Sequence, residues 1–335
     1  MSGKESSADA VVASAHADPR AHRMPDFFLV GQPKSGTTAL YEMLRRHPRI
    51  FMPENKEPWF LAQELLDRAP PRPQGTPRTL TEYQALFSGA DPEQLVGEAT
   101  AMYLWSPTAA ERIAQARPDA RIIVILREPT SLLRSLHLQW VKSYVETETD
   151  LRRALELEPA RRQGREIPRY TYWPQGLLYS DHVRYVEQLR RYHRVFPPEQ
   201  VLTLIYDDFR RDNASVVRRV LSFLGVDENV QIEPREANPT VAVRSGRLHG
   251  LVHAVSVGRG PVSRAVKETI KAVTPRALRR DALHAVNRSV LYSGKPPDDD
   301  ELMLELRRRY RGEVAALSEY IDRDLLALWG YDELA

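Results

Sequence analysis

Short apolar runs alternate along the first 225 residues with stretches whose apolar positions recur at helical spacing. Strands are predicted at Phe27 to Val30, Leu95 to Glu98, Ile122 to Leu126 and Val201 to Tyr206. The unbroken Ile-Ile-Val-Ile-Leu of the third has the composition of a strand buried on both faces. Between them, Gly36 to His47 carries Leu40, Met43 and Leu44 on one helical side and stops at His47-Pro48. A helix from Ser106 to about Arg117 has Ser106 as N-cap and Pro107 at its first position, and another begins at Pro129. One amphipathic helix is predicted over Gly176 to Phe196, and a further one, Ala214 to Leu224, ends at Gly225. After Pro296-Pro297-Asp298 a long helix runs to about Trp329, its apolar stripe formed by Leu306, Tyr310, Val314, Leu317, Ile321, Leu325 and Leu328. Strands separated by helices give an α/β fold with a central parallel sheet and flanking helices, a single domain with a helical C-terminal extension.

Four regions follow from this pattern. Residues 1–24, rich in Ala, Ser and His, are expected to be a disordered leader. Residues 25–247 form the α/β domain, 248–295 a basic helical insertion, and 296–335 a helix packing on the domain. A Pro- and Arg-rich stretch, 67–80, reads as a surface connection. With 42% hydrophobic and 28% charged residues the 335-residue chain is globular in composition. It has no cysteine, which excludes disulfides and thiolate zinc sites and fits a reducing compartment. No stretch approaches the roughly 18 apolar residues of a membrane span, and Val11-Val12-Ala13 is too short for a signal-peptide core. A cytoplasmic location is therefore expected.

The chemistry concentrates after the first strand, in Gly31-Gln32-Pro33-Lys34-Ser35-Gly36-Thr37-Thr38. A strand, a Gly-flanked turn and a helix build an anion cradle, because the first N–H groups of a helix lack intrahelical acceptors. The glycine spacing is that of a nucleotide-binding phosphate loop, but Thr37 follows Gly36 where that motif needs lysine; the lysine lies inside the turn at Lys34. A second motif is Arg127, directly after the most apolar strand, with Ser135 eight positions later on the next helix. Both face the crevice where open α/β sheets bind ligands, unless Arg127 only pairs with Glu128. Lys56 and Glu57, charged between apolar neighbours, fit either a presentation near the loop or an ordinary salt bridge.

With Pro33-Lys34-Ser35-Gly36-Thr37-Thr38 and Ile125-Leu126-Arg127-Glu128-Pro129 followed by Ser135, the chain resembles the sulfotransferases that use 3′-phosphoadenosine 5′-phosphosulfate (PAPS). The resemblance is to the branch of the heparan sulfate sulfotransferases and their bacterial relatives, over about residues 25 to 230. It implies a P-loop-like phosphosulfate-binding loop, Lys34, Ser35, Gly36, Thr37 and Thr38, and a 3′-phosphate site at Arg127 and Ser135. Lys34 is also implied to be catalytic. Glu57 with Phe60 occupies the position of the Glu-x-x-Phe stretch that carries the catalytic base of glycan-sulfating members. A second lysine expected in Glu-Lys-Thr is absent, since the chain reads Glu98-Ala99-Thr100, and no histidine lies between His47 and His137. The resemblance thus implies Glu57 as the base, with Glu98 and His137 as the alternatives. Weaker matches assign Tyr206 of Tyr206-Asp207-Asp208 to the adenine and Arg244 of Arg244-Ser245-Gly246 to the nucleotide.

The implied reaction moves a sulfuryl group from PAPS to a hydroxyl, or less readily an amine, of a glycan, lipid-linked saccharide or natural product, without metal. Two other readings remain open: a kinase or NTPase whose Glu98 holds magnesium, and a non-catalytic nucleotide- or membrane-binding protein. Nucleic acid is not among the expected partners, and the sequence carries no reading of oligomeric state. In Leu248 to Ser289, eight residues, Arg259, Arg264, Lys267, Lys271, Arg276, Arg279, Arg280 and Arg288, face only Glu268 and Asp281. That excess fits either a peripheral contact with an anionic acceptor or the inner membrane surface, or a solvated helical insertion over the sheet.

Overall fold

The structure is a computed structural model that describes residues 23–66, 75–143, 145–168, 171, 173–230, 232, 242–243, 292–293 and 299–334. The expected leader up to residue 22, nearly all of 248–295, and Arg244 lie outside the described residues. In chain order the elements are β1 (Phe27–Gly31), α1 (Thr37–Leu44), β2 (Ile50–Phe51), α2 (Leu80–Ala85), β3 (Leu95–Ala99), α3 (Ala109–Ala116), β4 (Arg121–Leu126) and α4 (Pro129–Lys142). Then come α5 (Leu151–Glu156), α6 (Glu158–Arg162), α7 (Tyr179–His182), α8 (Tyr185–His193), β5 (Val201–Ile205), α9 (Tyr206–Arg211) and α10 (Asn213–Leu224). A two-stranded antiparallel pair, β6 (Ala242–Val243) with β7 (Tyr292–Ser293), precedes α11 (Asp300–Tyr320) and α12 (Leu325–Trp329).

The main sheet has the order β2-β3-β1-β4-β5 with every pair parallel. Because side chains alternate across a strand, each central strand feeds two cores. Phe28, Val30, Ile122, Val124 and Leu126 pack with residues of α3, α4, α8 and α11, whereas Phe27, Leu29, Ile123 and Ile125 pack with α1 and α10. Burial on both faces explains why β1 and β4 read as continuous apolar runs rather than alternating ones. The connection leaving β1 goes toward β2 and that leaving β4 toward β5, so the chain diverges at the carboxyl ends of these two neighbours. An open α/β sheet forms its ligand crevice at such a point. At the exit of β1 a Cβ on Gly31 would lie 2.7 Å from Leu104 Cβ, so a residue without a side chain is required there.

Several predicted elements differ in extent. The helix expected over Gly176 to Phe196 is broken into a 3₁₀ turn, α7 and α8, because Leu178 (ψ 75°) and Arg184 (ψ 64°) leave helical geometry. The long C-terminal helix likewise ends at Tyr320 and resumes at Leu325, with Asp322 at φ 51° between them. Helix α3 begins at Ala109, two residues later than expected; Ser106 still caps it, its Oγ accepting from Thr108 N and Ala109 N at 3.2 and 3.0 Å. Ile50–Phe51, too short for a periodic signal, adds an edge strand beside β3. Tyr206, placed at the end of a strand by its sequence, opens α9 instead.

Candidate functional site

The turn between β1 and α1 has two residues in left-handed conformation, Lys34 (φ 63°) and Gly36 (φ 87°). At Gly36 an added Cβ would also come within 3.0 Å of Phe209 Cδ1, so glycine is required both by dihedral and by space. The first α-helical bond of α1 runs from Leu40 N to Gly36 O, which leaves the N–H groups of Thr37, Thr38 and Ala39 without intrahelical acceptors. Ser35 is buried, its N–H bonded to Gln32 O at 3.3 Å, and Gln32 N is bonded to Ile125 O of β4 at 2.9 Å. The loop is thereby tied to the neighbouring strand.

That strand delivers Arg127. Its Nη1 donates to Lys34 O at 2.7 Å and its Nε to Ser131 Oγ at 2.9 Å, and its guanidinium stacks 4.8 Å from the Tyr206 ring centre. The two sequence motifs, nearly a hundred residues apart, are in direct contact. Ser135 is 3% exposed, and its Oγ has no hydrogen-bond partner among the described residues. An orphaned buried hydroxyl is unfavourable unless a ligand completes it, so the site fits an anion brought next to Arg127. Glu128 does not spend its carboxylate on Arg127: it caps α4 by accepting from Thr130 N and Ser131 N at 3.1 and 2.7 Å, and it accepts from the Tyr331 hydroxyl.

Lys34 Nζ donates to Gln139 Oε1 of α4 at 3.2 Å. Burial, then the charges of Lys142 and Arg127, pull its pKa down to about 8. The protonated amine is therefore poorly compensated until an anion arrives. Ser131, Ser135, Gln139 and Lys142 recur at spacings of four, four and three along α4, one helical face turned to the loop. Sequence reasoning singled out only Ser135 of these; the same spacing, continued from it, would have found Ser131 and Gln139.

The three candidate bases are sorted by their surroundings. Glu57 is half-buried; its Oε1 pairs with Lys56 Nζ and its Oε2 accepts from Ala101 N at 3.0 Å. It sits in a turn with two non-glycine residues at positive φ, Glu57 (64°) and Trp59 (60°), a strain of order 1–3 kcal/mol each that persists only where surroundings over-determine it. So the Lys56 to Glu57 pair foreseen as the ordinary alternative does form, while the turn geometry is unusual. Glu98 is fully buried and accepts from Tyr83 and Tyr103 hydroxyls, both at 2.8 Å, and from Thr100 Oγ1 at 2.7 Å. Burial raises its pKa to about 7 against these hydrogen bonds, with Glu57 adding to the rise. Enclosed in this way, it can neither reach an acceptor nor hold the magnesium of a kinase. His137 lies on the far face of α4, buried, with Nε2 2.9 Å from Glu148 O; burial lowers its pKa, and it does not face the loop.

The remaining matches are partial. Tyr206 reaches the site as the ring beneath Arg127. Its neighbours serve the C-terminal segment: Asp207 accepts from Trp329 Nε1 at 2.9 Å, and Asp208 is held by Arg323 through two bonds, one of 2.9 Å. Arg244 falls outside the described residues. Among the described residues no helix is long and apolar enough to cross a membrane.

A family model described as Sulfotransferase domain matches residues 24–237. The chain is 29% identical over 212 residues to human heparan sulfate glucosamine 3-O-sulfotransferase 6, covering 62% of this chain and 54% of that protein. It is 30% identical over 122 residues to the membrane-associated sulfotransferase kil1 of Dictyostelium discoideum, covering 36% of this chain and 24% of that one. The chain thus spans about a quarter to a half of the length of these curated relatives. Among solved structures, a sulfotransferase from Alicyclobacillus acidocaldarius superposes with a TM-score of 0.62 at 27% identity, covering 91% of this chain and 98% of the other.

Proposed function

The chain belongs to the sulfotransferase domain family, and from that premise we propose that it transfers a sulfuryl group from PAPS to a hydroxyl of a saccharide-containing or natural-product acceptor. The observation that carries this reading is the junction of the two motifs: Arg127 bonded to Lys34 O and to Ser131, with the orphaned Ser135 hydroxyl one turn further along α4, at the divergence of β1 and β4. A donor with phosphate groups at both its 5′ and 3′ ends would occupy both halves of that junction. The N–H groups at the start of α1 and the Lys34 ammonium would take the 5′ end, and Arg127, Ser131 and Ser135 the 3′-phosphate.

PAPS supplies the sulfuryl group and leaves as adenosine 3′,5′-bisphosphate. Lys34 lies where charge builds on the leaving phosphate, and a cation with a lowered pKa in a water-poor setting stabilises that charge more than it would in bulk water. Glu57, held by Ala101 N and with about a third of its side chain left accessible, takes the acceptor proton. Alignment of donor and acceptor is the other contribution, as in phosphoryl transfer through a loose transition state. The name of the 3-O-sulfotransferase relative points to a glycan hydroxyl, which supports a saccharide acceptor; a peripheral attachment to an anionic surface rests on the charge of residues 248–295 alone.

Isotope-labelled PAPS, incubated with the protein and a panel of desulfated glycans, lipid-linked saccharides and phenolic natural products, tests the reading. Label should appear in a hydroxyl-bearing product, and Glu57→Gln should lower that transfer by about 10²–10⁴-fold with the affinity for adenosine 3′,5′-bisphosphate kept. Tighter binding of ATP with magnesium than of the bisphosphate, with no label transferred, would overturn it.

A further inference from the structure

Glu98 takes no part in the chemistry just described, yet its fully buried carboxylate accepts from three side-chain hydroxyls. Its Oε2 gathers two phenols from different parts of the chain, Tyr83 of α2 and Tyr103 of the segment leaving β3, and its Oε1 takes the Thr100 hydroxyl. Each tyrosine in turn grips one of two consecutive residues. The Tyr83 ring stacks on Phe60, with centroids 4.4 Å apart and planes 15° from parallel. The Tyr103 hydroxyl, while donating to Glu98, accepts from Leu61 N at 3.1 Å. Phe60 and Leu61 directly follow the Glu57 to Trp59 turn, with its two positive-φ residues. The other end of that turn is fixed to the same strand exit, by Glu57 N to Ala99 O at 3.0 Å and by Ala101 N to the Glu57 carboxylate.

We propose that Glu98 is a positioning residue: by holding Tyr83 and Tyr103 it locks Phe60 and Leu61, and so keeps the strained Glu57 to Trp59 turn presenting the Glu57 carboxylate to the acceptor. The proposal rests on the reading of Glu57 as the base. A turn with two unfavourable dihedrals relaxes when one of its anchors is lost, and Glu98 is the group through which both anchors on its far side are organised. The carboxylate is suited to this because its oxygens accept several hydroxyl bonds at once, and because its burial excludes the water that would compete for the phenols.

Hydrogen exchange followed by mass spectrometry, with the full-length chain and bound adenosine 3′,5′-bisphosphate, reads the tether without activity. Glu98→Ala should speed exchange in residues 57–66 and leave residues 31–44 unchanged, and Glu98→Gln should restore most of the protection, since its amide oxygen still accepts from both phenols. Activity is read as sulfate release from PAPS with water as acceptor, which needs no knowledge of the natural one. There Glu98→Ala should reduce kcat by ~10-fold or more with bisphosphate affinity within about twofold, and should cause no further loss in a Glu57→Gln background. If Glu98→Ala fails to fold, Tyr103→Phe removes one hydroxyl of the same chain of contacts and should give the same pattern. Unchanged exchange in 57–66, or losses that multiply in the double variant, would overturn the proposal. A Glu57→Gln protein releasing sulfate at the parental rate would instead remove Glu57 as the base, with the exchange comparison alone then deciding the tether.

Discussion

Lys34 offers the most quantitative test of the proposed donor site. Its ammonium is held at a pKa of about 8 by burial, Lys142 and Arg127, and a phosphate placed against it raises that value again. The sign follows from linkage. Because the pKa is higher in the complex than in the free protein, affinity is full below about 8 and is lost as pH rises through it. A group of pKa about 8 is roughly nine-tenths protonated at pH 7 and roughly one-tenth at pH 9, so the bisphosphate should bind ~10-fold more weakly at pH 9. The ligand's own phosphates, with second pKa values near ~6, are already ionised across this range. Isothermal titration calorimetry in two buffers of different ionisation enthalpy should show uptake of about half a proton per ligand at pH 8. Lys34→Arg, always charged, should abolish both the uptake and the pH dependence. Affinity that stays flat from pH 7 to 9 in the parent protein, with no proton uptake, would refute the assignment of Lys34 to the ligand's charge.

Arg127→Ala and Ser135→Ala should each weaken PAPS much more than adenosine 5′-phosphosulfate, since only PAPS carries the 3′-phosphate; competition binding with the two donors measures this, and equal losses would place these residues elsewhere. Gly36→Ala should cost about 1–3 kcal/mol in a denaturant titration and reduce bisphosphate binding, because its φ of 87° and the 3.0 Å approach to Phe209 Cδ1 both oppose a side chain. A Gly36→Ala protein with parental stability would mean that the turn has a second conformation available.

Much of the fold was legible because it rests on period and punctuation. Phe27 to Val30 and Ile122 to Leu126 are buried on both faces, and Gly225 stops α10 at φ 68°, as their residues imply. The contact of Lys34 with Arg127 could be anticipated for the same reason: both follow strands, and the carboxyl ends of neighbouring parallel strands lie along one edge of the sheet. The breaks at Arg184 and Ile321 were not legible, because no proline or glycine lies beside them and tertiary packing sets their dihedrals. Glu98 was readable as a charged residue near the site but not as an enclosed one, since Tyr83 and Tyr103 come to it from opposite sides of β3 in sequence. The cap that Tyr331 shares with Glu128 joins residues more than two hundred positions apart, beyond any local signal.

That last contact bears on the order in which the protein becomes competent during synthesis. Glu128 sets the start of the helix that carries Ser131 and Ser135, and it is completed by Tyr331; Asp207 and Asp208, beside the ring under Arg127, are completed by Trp329 and Arg323. All five strands of the main sheet emerge from the ribosome well before these partners do. A nascent chain can thus assemble its sheet and loop early, but the proposed donor pocket acquires its full set of supports only after residue 331 has cleared the exit tunnel, so a chain released prematurely would be folded in its centre and, on the proposed reading, deficient in binding nucleotide.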